Sequence, residues 1–178
     1  PSCQLLADEM VRELFGWEPE KKDGEWQIRF EVVLPADLLR EPRPTQLDVL
    51  LQNKTSAIAL ECKFTERGGL CSQTRPLSSG KHKGLIQCDG YYRKQQNPVN
   101  GKWSRCALSA KKIRYWTYVP KYFDWVNDTD HEPCPFADTA YQYMRNALAA
   151  ARWARRRKLA RAGFGLVYVE GQAFPMSR

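Results

Sequence analysis

Two apolar segments separated by a polar turn constrain this chain most. Leu47 to Leu51 and Ser56 to Phe64 are rich in Leu, Val, Ile and Ala, and they flank the turn-prone Gln52-Asn53-Lys54-Thr55, so the span predicts a β-hairpin. With a connection of two central residues (Asn53, Lys54) or of four (Gln52 to Thr55), the register sets Asp48 opposite Ala59 and diagonal to Glu61. Alternation then places Ala57, Ala59, Glu61 and Lys63 on one face of the second strand and Ile58, Leu60, Cys62 and Phe64 on the other. Diagonal neighbours lie roughly 7 to 8 Å apart, close enough for two carboxylates to reach one cation. The expectation is an apolar core face and an open, reactive face carrying Asp48, Glu61 and Lys63.

The rest of the chain supplies elements around that hairpin. Ser2 caps a helix running to about Phe15 and closed by Gly16, with Leu6, Met10 and Leu14 as its buried seam and Glu9 and Glu13 off it. Trp26 to Leu34 reads as a first strand ended by Pro35. Thr65 to Lys83 reads as a basic, glycine-bearing loop. Gln87 to Tyr91 reads as the start of a helix, with Gln87 and Tyr91 one turn apart and Leu85, Cys88 and Tyr92 as an apolar stripe. The alternation of Ile113, Tyr115, Thr117 and Val119 suits a strand. Pro120 to Pro135 is irregular, and its acidic group Asp124, Asp128, Asp130, His131 and Glu132 reads as a solvated loop. Alanine-rich Ala137 to about Arg161 predicts a long helix ended by Gly163, followed by a last strand from Gly165 to Glu170.

A chain of 178 residues with 43% hydrophobic content can bury its own core, so a single domain over residues 1–178 is expected. There is no apolar run of about eighteen residues and no export pattern, so membrane insertion is not expected and a cytoplasmic location is. The six cysteines include no CxxC pair, which argues against a zinc or iron–sulfur site. Cys62 and Cys88 read as buried thiols, and a disulfide among Cys71, Cys106 and Cys134 stays open.

The net charge of +8 and a pI near 9.3 favour a polyanionic partner, through phosphate contacts and counterion release. Arg152, Arg155, Arg156, Arg157, Lys158 and Arg161 crowd one helix end, more cations than a helix dipole calls for, and Lys81, His82 and Lys83 precede Gln87. Trp103, Tyr115, Trp116, Tyr118, Tyr122, Phe123 and Trp125 read mainly as core, with some able to stack on bases.

Asp48, a twelve-residue interval and then Glu61-Cys62-Lys63 together resemble the PD-(D/E)xK nuclease signature, with Leu47 standing where the proline would be. Gln87-Cys88-Asp89-Gly90-Tyr91 resembles the QxxxY motif of RecB-type and lambda-exonuclease-type members. The resemblance implies an α/β fold with a restriction-endonuclease-like αβββαβ core, a mixed central sheet flanked by helices, and an additional C-terminal helix and strand. It also implies a deoxyribonuclease that hydrolyses DNA phosphodiester bonds with Mg²⁺ or Mn²⁺, in repair, recombination or restriction and defence. Asp48, Glu61 and the carbonyl of Cys62 would hold metal, helped by Glu13 or Glu9. Lys63 would act on the water or the phosphate, with Gln87 and Tyr91 positioning it. Lys81, Lys83, Arg152, Arg155 and Arg156 are the candidate phosphate contacts. The same charge would also serve a catalytically inactive, nucleic-acid-binding module on this fold, and the cysteines would serve a metal-binding redox domain. Endo- or exonucleolytic action, strand preference and oligomeric state are open at this level.

Overall fold

A computed structural model describes residues 3–64, 68–124 and 133–168. Helix α1 (Cys3–Phe15) is followed by strands β1 (Gln27–Leu34), β2 (Thr45–Gln52) and β3 (Ser56–Lys63). Two short strands, β4 (Gln95–Gln96) and β5 (Trp103–Ser104), then precede helices α2 (Ala107–Ala110), α3 (Tyr115–Tyr122) and α4 (Ala140–Arg156) and strand β6 (Arg161–Tyr168). The main sheet has the order β1-β2-β3-β6, antiparallel across the first three strands and parallel between β3 and β6.

The hairpin forms where expected, with a different register. Leu50 pairs with Ala59 and Val49 with Leu60, two residues away from the expected alignment. The turn is centred on Lys54 and Thr55, because Asn53 closes it: its N–H donates to the Ser56 carbonyl at 3.0 Å, and its Oδ1 accepts from the N–H groups of Thr55 and Ser56. A slip of two leaves every side chain on its expected face, since strand alternation has a period of two. The outcome for the carboxylates is closer: continuing the register brings Asp48 level with Glu61 instead of diagonal to it.

The face expected to be open is the more deeply covered one. Helix α4 packs across Ala57 and Ala59 with Met144, Leu148, Ala149, Ala150 and Ala154, in one core with Leu34, Leu50, Tyr115 and Val119. Helix α1 covers the other face, where Ala7 and Val11 meet Leu51, Ile58 and Leu60. Alternation separates the two faces of a strand but does not say which neighbour will cover each. The buried positions of α1 are Ala7 and Val11, while Leu6 and Leu14 are exposed, a seam rotated from the expected one. Small residues explain the rotation: Phe15 lies where a side chain on Gly163 would stand, since a Cβ there would meet its ring at 2.9 Å, and it comes within ordinary contact of Gly165. Ser2 lies outside the described residues.

Two further expectations are corrected. Residues 87–91 are not helical, since Gly90 turns the backbone into the left-handed region at φ +87. Ile113 to Val119 contributes to a helix, not a strand, because the buried positions Tyr115, Tyr118 and Val119 follow helical spacing. The predicted long helix stops at Arg156, closed by Arg157 N–H to the Trp153 carbonyl at 2.9 Å, and Arg161 and Gly163 already belong to β6. Helix α4 and strand β6, expected as additions to the αβββαβ order, are the elements that complete it. The described residues between β3 and α4 form an inserted unit on the core. Of the acidic group after Pro120, all but Asp124 lie outside the described residues. Among the described residues no helix is long and apolar enough to cross a membrane.

Arg161 shows what ends the helix early. Its guanidinium donates to Asp23 Oδ2 at 2.9 Å and to Ser56 Oγ at 2.9 Å, tying the start of β6 to the hairpin turn. Asp23 is buried and also accepts from Thr55 Oγ1 at 2.7 Å and from the Glu20 N–H. The Thr55 hydrogen bond first, then those from Glu20 and Arg161, hold its carboxyl below the ordinary 3.8 despite burial. Asp23→Asn is expected to cost about 1.5 to 3 kcal/mol at neutral pH, the usual worth of a charge-assisted hydrogen bond. Because the folded-state pKa is depressed, this stability is present above pH 3.8 and is lost as pH falls through the lowered value. Thermal melts of both proteins across pH check this, and a gap that persists undiminished in strong acid would contradict it.

Candidate active site

Strands β2 and β3 part at Asp48. Their ladder ends at Val49 and Leu60, while β2 stays paired to β1 through Leu47 and Val32. In a continued ladder the Cys62 N–H would pair with the backbone of Leu47. It donates instead to Asp48 Oδ2 at 2.7 Å. The carboxylate thus sits in the fork, half-buried, bound to the backbone between Glu61 and Lys63.

Glu61 and Lys63 lie beside it under α4, only 1% and 6% exposed. Lys63 Nζ stands 2.6 Å from Glu61 Oε1. Gln142 Nε2 donates to the same oxygen, and Asn146 Nδ2 donates to Oε2 at 2.6 Å. The two amides are one turn apart on the inward side of α4. Gln142 is itself held, its Oε1 accepting from the Gly69 N–H at 2.7 Å. Burial pushes the Glu61 carboxyl above its ordinary 4.5; Lys63 pulls it back, and the negative charge of Asp48 pushes it up again. Burial, then Asp48 and Glu61, raise the Cys62 thiol, so it stays a protonated sulfhydryl.

Of the sequence candidates, the structure therefore brings Asp48, Glu61, Cys62 and Lys63 together. Gln87 is buried elsewhere, its N–H donating to the Gln73 carbonyl and its carbonyl accepting from Asn97. Tyr91 is exposed, bridged to Pro133 and faced by Arg93. With no helix at 87–91, the glutamine on the helix that follows β3 in the core is Gln142, with Asn146 where a tyrosine would be expected. Glu9 and Glu13 are exposed on α1, which covers the opposite face of the sheet. The third carboxylate near the fork is Glu31, level with Asp48 across β1 and accepting a hydrogen bond from Gln46. It adopts φ +50, an uncommon conformation for a non-glycine residue inside a strand. Gln142 and Asn146 carried a legible signal, two amides one turn apart on the stripe that continues through Ala149 and Ala150. Glu31 carried none beyond its place in an alternating strand.

The cationic candidates divide. Lys81 and Lys83 are exposed in a turn between Gly80 and Gly84. Arg155 is exposed, but Arg156 pairs with Asp37 at 2.6 Å and the Arg152 guanidinium stacks 4.4 Å over Tyr118. A cleft of about 810 Å³ lies at the hairpin-turn end, lined by Trp26, Lys54, Arg157 and Lys158 among others. It is roughly 17 Å along β3 from Glu61 at about 3.3 Å per residue, so it is not the carboxylate site.

The fork thus holds two carboxylates and a sheltered lysine. The model of a family described as restriction endonuclease associating with ARP matches residues 3–169. The chain belongs to that family. No curated protein and no solved structure matches it. Membership in this restriction endonuclease family supports a nuclease-like role on nucleic acid, and the four-stranded mixed sheet is compatible with a restriction-endonuclease-like core.

Proposed function

We propose that the protein is a PD-(D/E)xK-type deoxyribonuclease that hydrolyses DNA phosphodiester bonds with Mg²⁺ or Mn²⁺. The observation that carries this reading is the meeting of Asp48, Glu61 and Lys63 at the fork between β2 and β3. The donor set fits a hard divalent cation. Asp48 and Glu61 are near enough for the charge of one to shift the other, and Asn146 Oδ1 is a buried oxygen without a hydrogen-bond partner. Among the described residues no three His, Cys, Asp or Glu side chains gather to hold a metal. Mg²⁺ is commonly held by only one or two carboxylates, with water completing its shell. Asp48, Glu61 and the Cys62 carbonyl would supply the protein ligands. The ion, when bound, lowers the pKa of its water and neutralises phosphate charge.

The chain's own residues do the rest. Gln142 and Asn146 fix the Glu61 carboxylate, and Glu61 in turn positions the Lys63 ammonium. Lys63 is a compact donor suited to a non-bridging phosphate oxygen or to the attacking water. Shelter under α4 strengthens these interactions, because water screens them less. Exposed Lys81, Lys83 and Arg155 would meet the phosphate backbone. Restriction or defence is the process closest to the family description.

The test is a panel of linear, circular and single-stranded DNA incubated with Mg²⁺, Mn²⁺ or EDTA. Cleavage in either metal and none in EDTA is expected. Intact DNA throughout, with binding retained, would favour the second reading, a binding module on the nuclease fold.

A further inference from the structure

We propose that the cleft at the hairpin-turn end of the sheet binds the phosphodiester backbone of nucleic acid, through Lys54, Arg157 and Lys158, about five base pairs from the fork. The proposal rests on the nuclease reading only in taking the fork as the point of cutting. The cleft, about 810 Å³ in volume, lies between the start of β1, the hairpin turn and the end of α4. Four of its lining residues are cations and one, Glu25, is an acid. Arg156 pairs with Asp37, whereas among the described residues Lys54, Arg157 and Lys158 meet no carboxylate. All three are exposed, so the cleft is an open trough of positive charge.

Each of these cations is held by a separate local device. Gly24, at φ +67, has no side chain where the stem of Lys54 lies: a Cβ there would stand 3.2 to 3.4 Å from Cε, Cδ and Cγ of the lysine. The Lys54 N–H donates to the Asp23 carbonyl at 2.9 Å, which fixes the backbone beneath. The Arg157 guanidinium lies 5.5 Å over the Trp153 ring, whose Nε1 donates to Gln52 Oε1 at 2.8 Å. Side chains ordered in advance lose less entropy on meeting a ligand. Lys158 adopts φ +57 where α4 closes, with the Leu159 N–H donating to the Ala154 carbonyl at 2.9 Å and the Lys158 N–H to the Arg155 carbonyl at 3.2 Å. This closure favours glycine, because a side chain crowds the left-handed backbone. A lysine at that position gives up stability and adds a charge to the cleft.

Two rigid elements set the distance from the fork. Along β3, Glu61 and Ser56 are separated by roughly 17 Å at about 3.3 Å per residue. Along α4, Asn146, which holds Glu61, and Arg157 are also separated by roughly 17 Å, at about 1.5 Å per residue. Duplex DNA rises about 3.4 Å per base pair, so a helix cut at the fork carries phosphates to the cleft about five pairs away. The cations come from two walls, the hairpin turn and the end of α4, which suits a strand passing between them.

The experiment titrates the full chain with a duplex of about 30 base pairs, in EDTA and at several salt concentrations. Lys54→Gln, Arg157→Gln and Lys158→Gly should each weaken binding about threefold or more and lower the slope of log affinity against log salt by about 0.9. Lys121→Gln, which removes the same charge from the exposed side of α3, should leave both unchanged. Lys158→Gly should also raise the melting temperature by about 2 °C as left-handed strain is relieved. A lysine with only a structural role would not give lower affinity together with higher stability. Unchanged affinity and slope in the three variants, an equal loss in Lys121→Gln, or displacement of the duplex by free mononucleotide at the same phosphate concentration would each overturn the proposal. These measurements need no cleavage, so they decide even if the nuclease reading fails. Where cleavage occurs, the variants should raise KM and leave kcat, and a loss confined to kcat would overturn the cleft as a remote binding site.

Discussion

Lys63→Met and Asp48→Asn are each expected to slow metal-dependent DNA cleavage by about 10²- to 10³-fold or more, the usual cost of removing one preorganised electrostatic group. DNA affinity should stay nearly unchanged, because neither side chain lies among the exposed cations. Lys63 is 6% exposed, so its ammonium meets a phosphate only at the fork, and methionine keeps the volume of its stem. Asparagine retains an acceptor for the Cys62 N–H while removing the charge of Asp48. Single-turnover cleavage and DNA-binding titrations separate the two effects. Parallel loss of affinity and rate would place these residues in binding, not chemistry. The pH profile adds an independent signature. Glu61 titrates above its ordinary 4.5 because it is buried, so activity should rise with pH through that elevated value as the carboxylate forms.

Glu61→Ala should be the most destabilising single change in the site, by about 3 to 5 kcal/mol, because it strips a buried ammonium of its carboxylate partner and removes the acceptor of one buried and one half-buried amide. The amides are those of Gln142 and Asn146. The double variant Glu61→Leu, Lys63→Met should recover much of that loss, since an apolar pair of similar volume removes both desolvation costs. It should recover no activity. Chemical denaturation of the three proteins checks the order, and a double variant no more stable than Glu61→Ala would show that the polar cluster supports the fold. The sign of the pH effect agrees: the native state binds the Glu61 proton more tightly than the unfolded chain does. This group therefore favours folding below pH 4.5 and withdraws that support as pH rises through its folded-state value. A site that works against stability at neutral pH is kept for its chemistry.

Strand and face were legible in the chain for reasons that are local. Leu47 to Leu51 and Ser56 to Phe64 could be read as a hairpin because strand alternation and turn chemistry involve only near neighbours. The grouping of Asp48, Glu61 and Lys63 withstood a two-residue error in register because an even slip preserves the face. The helix expected from Gln87 did not form, since five letters of sequence do not show whether Gly90 will leave helical space. Element order was recovered with the wrong members: α4 and β6, not residues 87–119, complete the sheet. Pairing a parallel strand depends on a crossover that local propensity does not encode.

The sequence by itself determined the hairpin, the carboxylate–lysine face and the excess of positive charge, all properties of neighbouring residues or of simple sums. Only the tertiary structure decided that α4 would cover that face and clamp Glu61 through Gln142 and Asn146. It alone decided that Arg156 and Arg161 would pair with Asp37 and Asp23. Those outcomes rest on contacts between residues far apart in the chain, which are set by how helices and loops pack onto the sheet and leave no mark in local spacing.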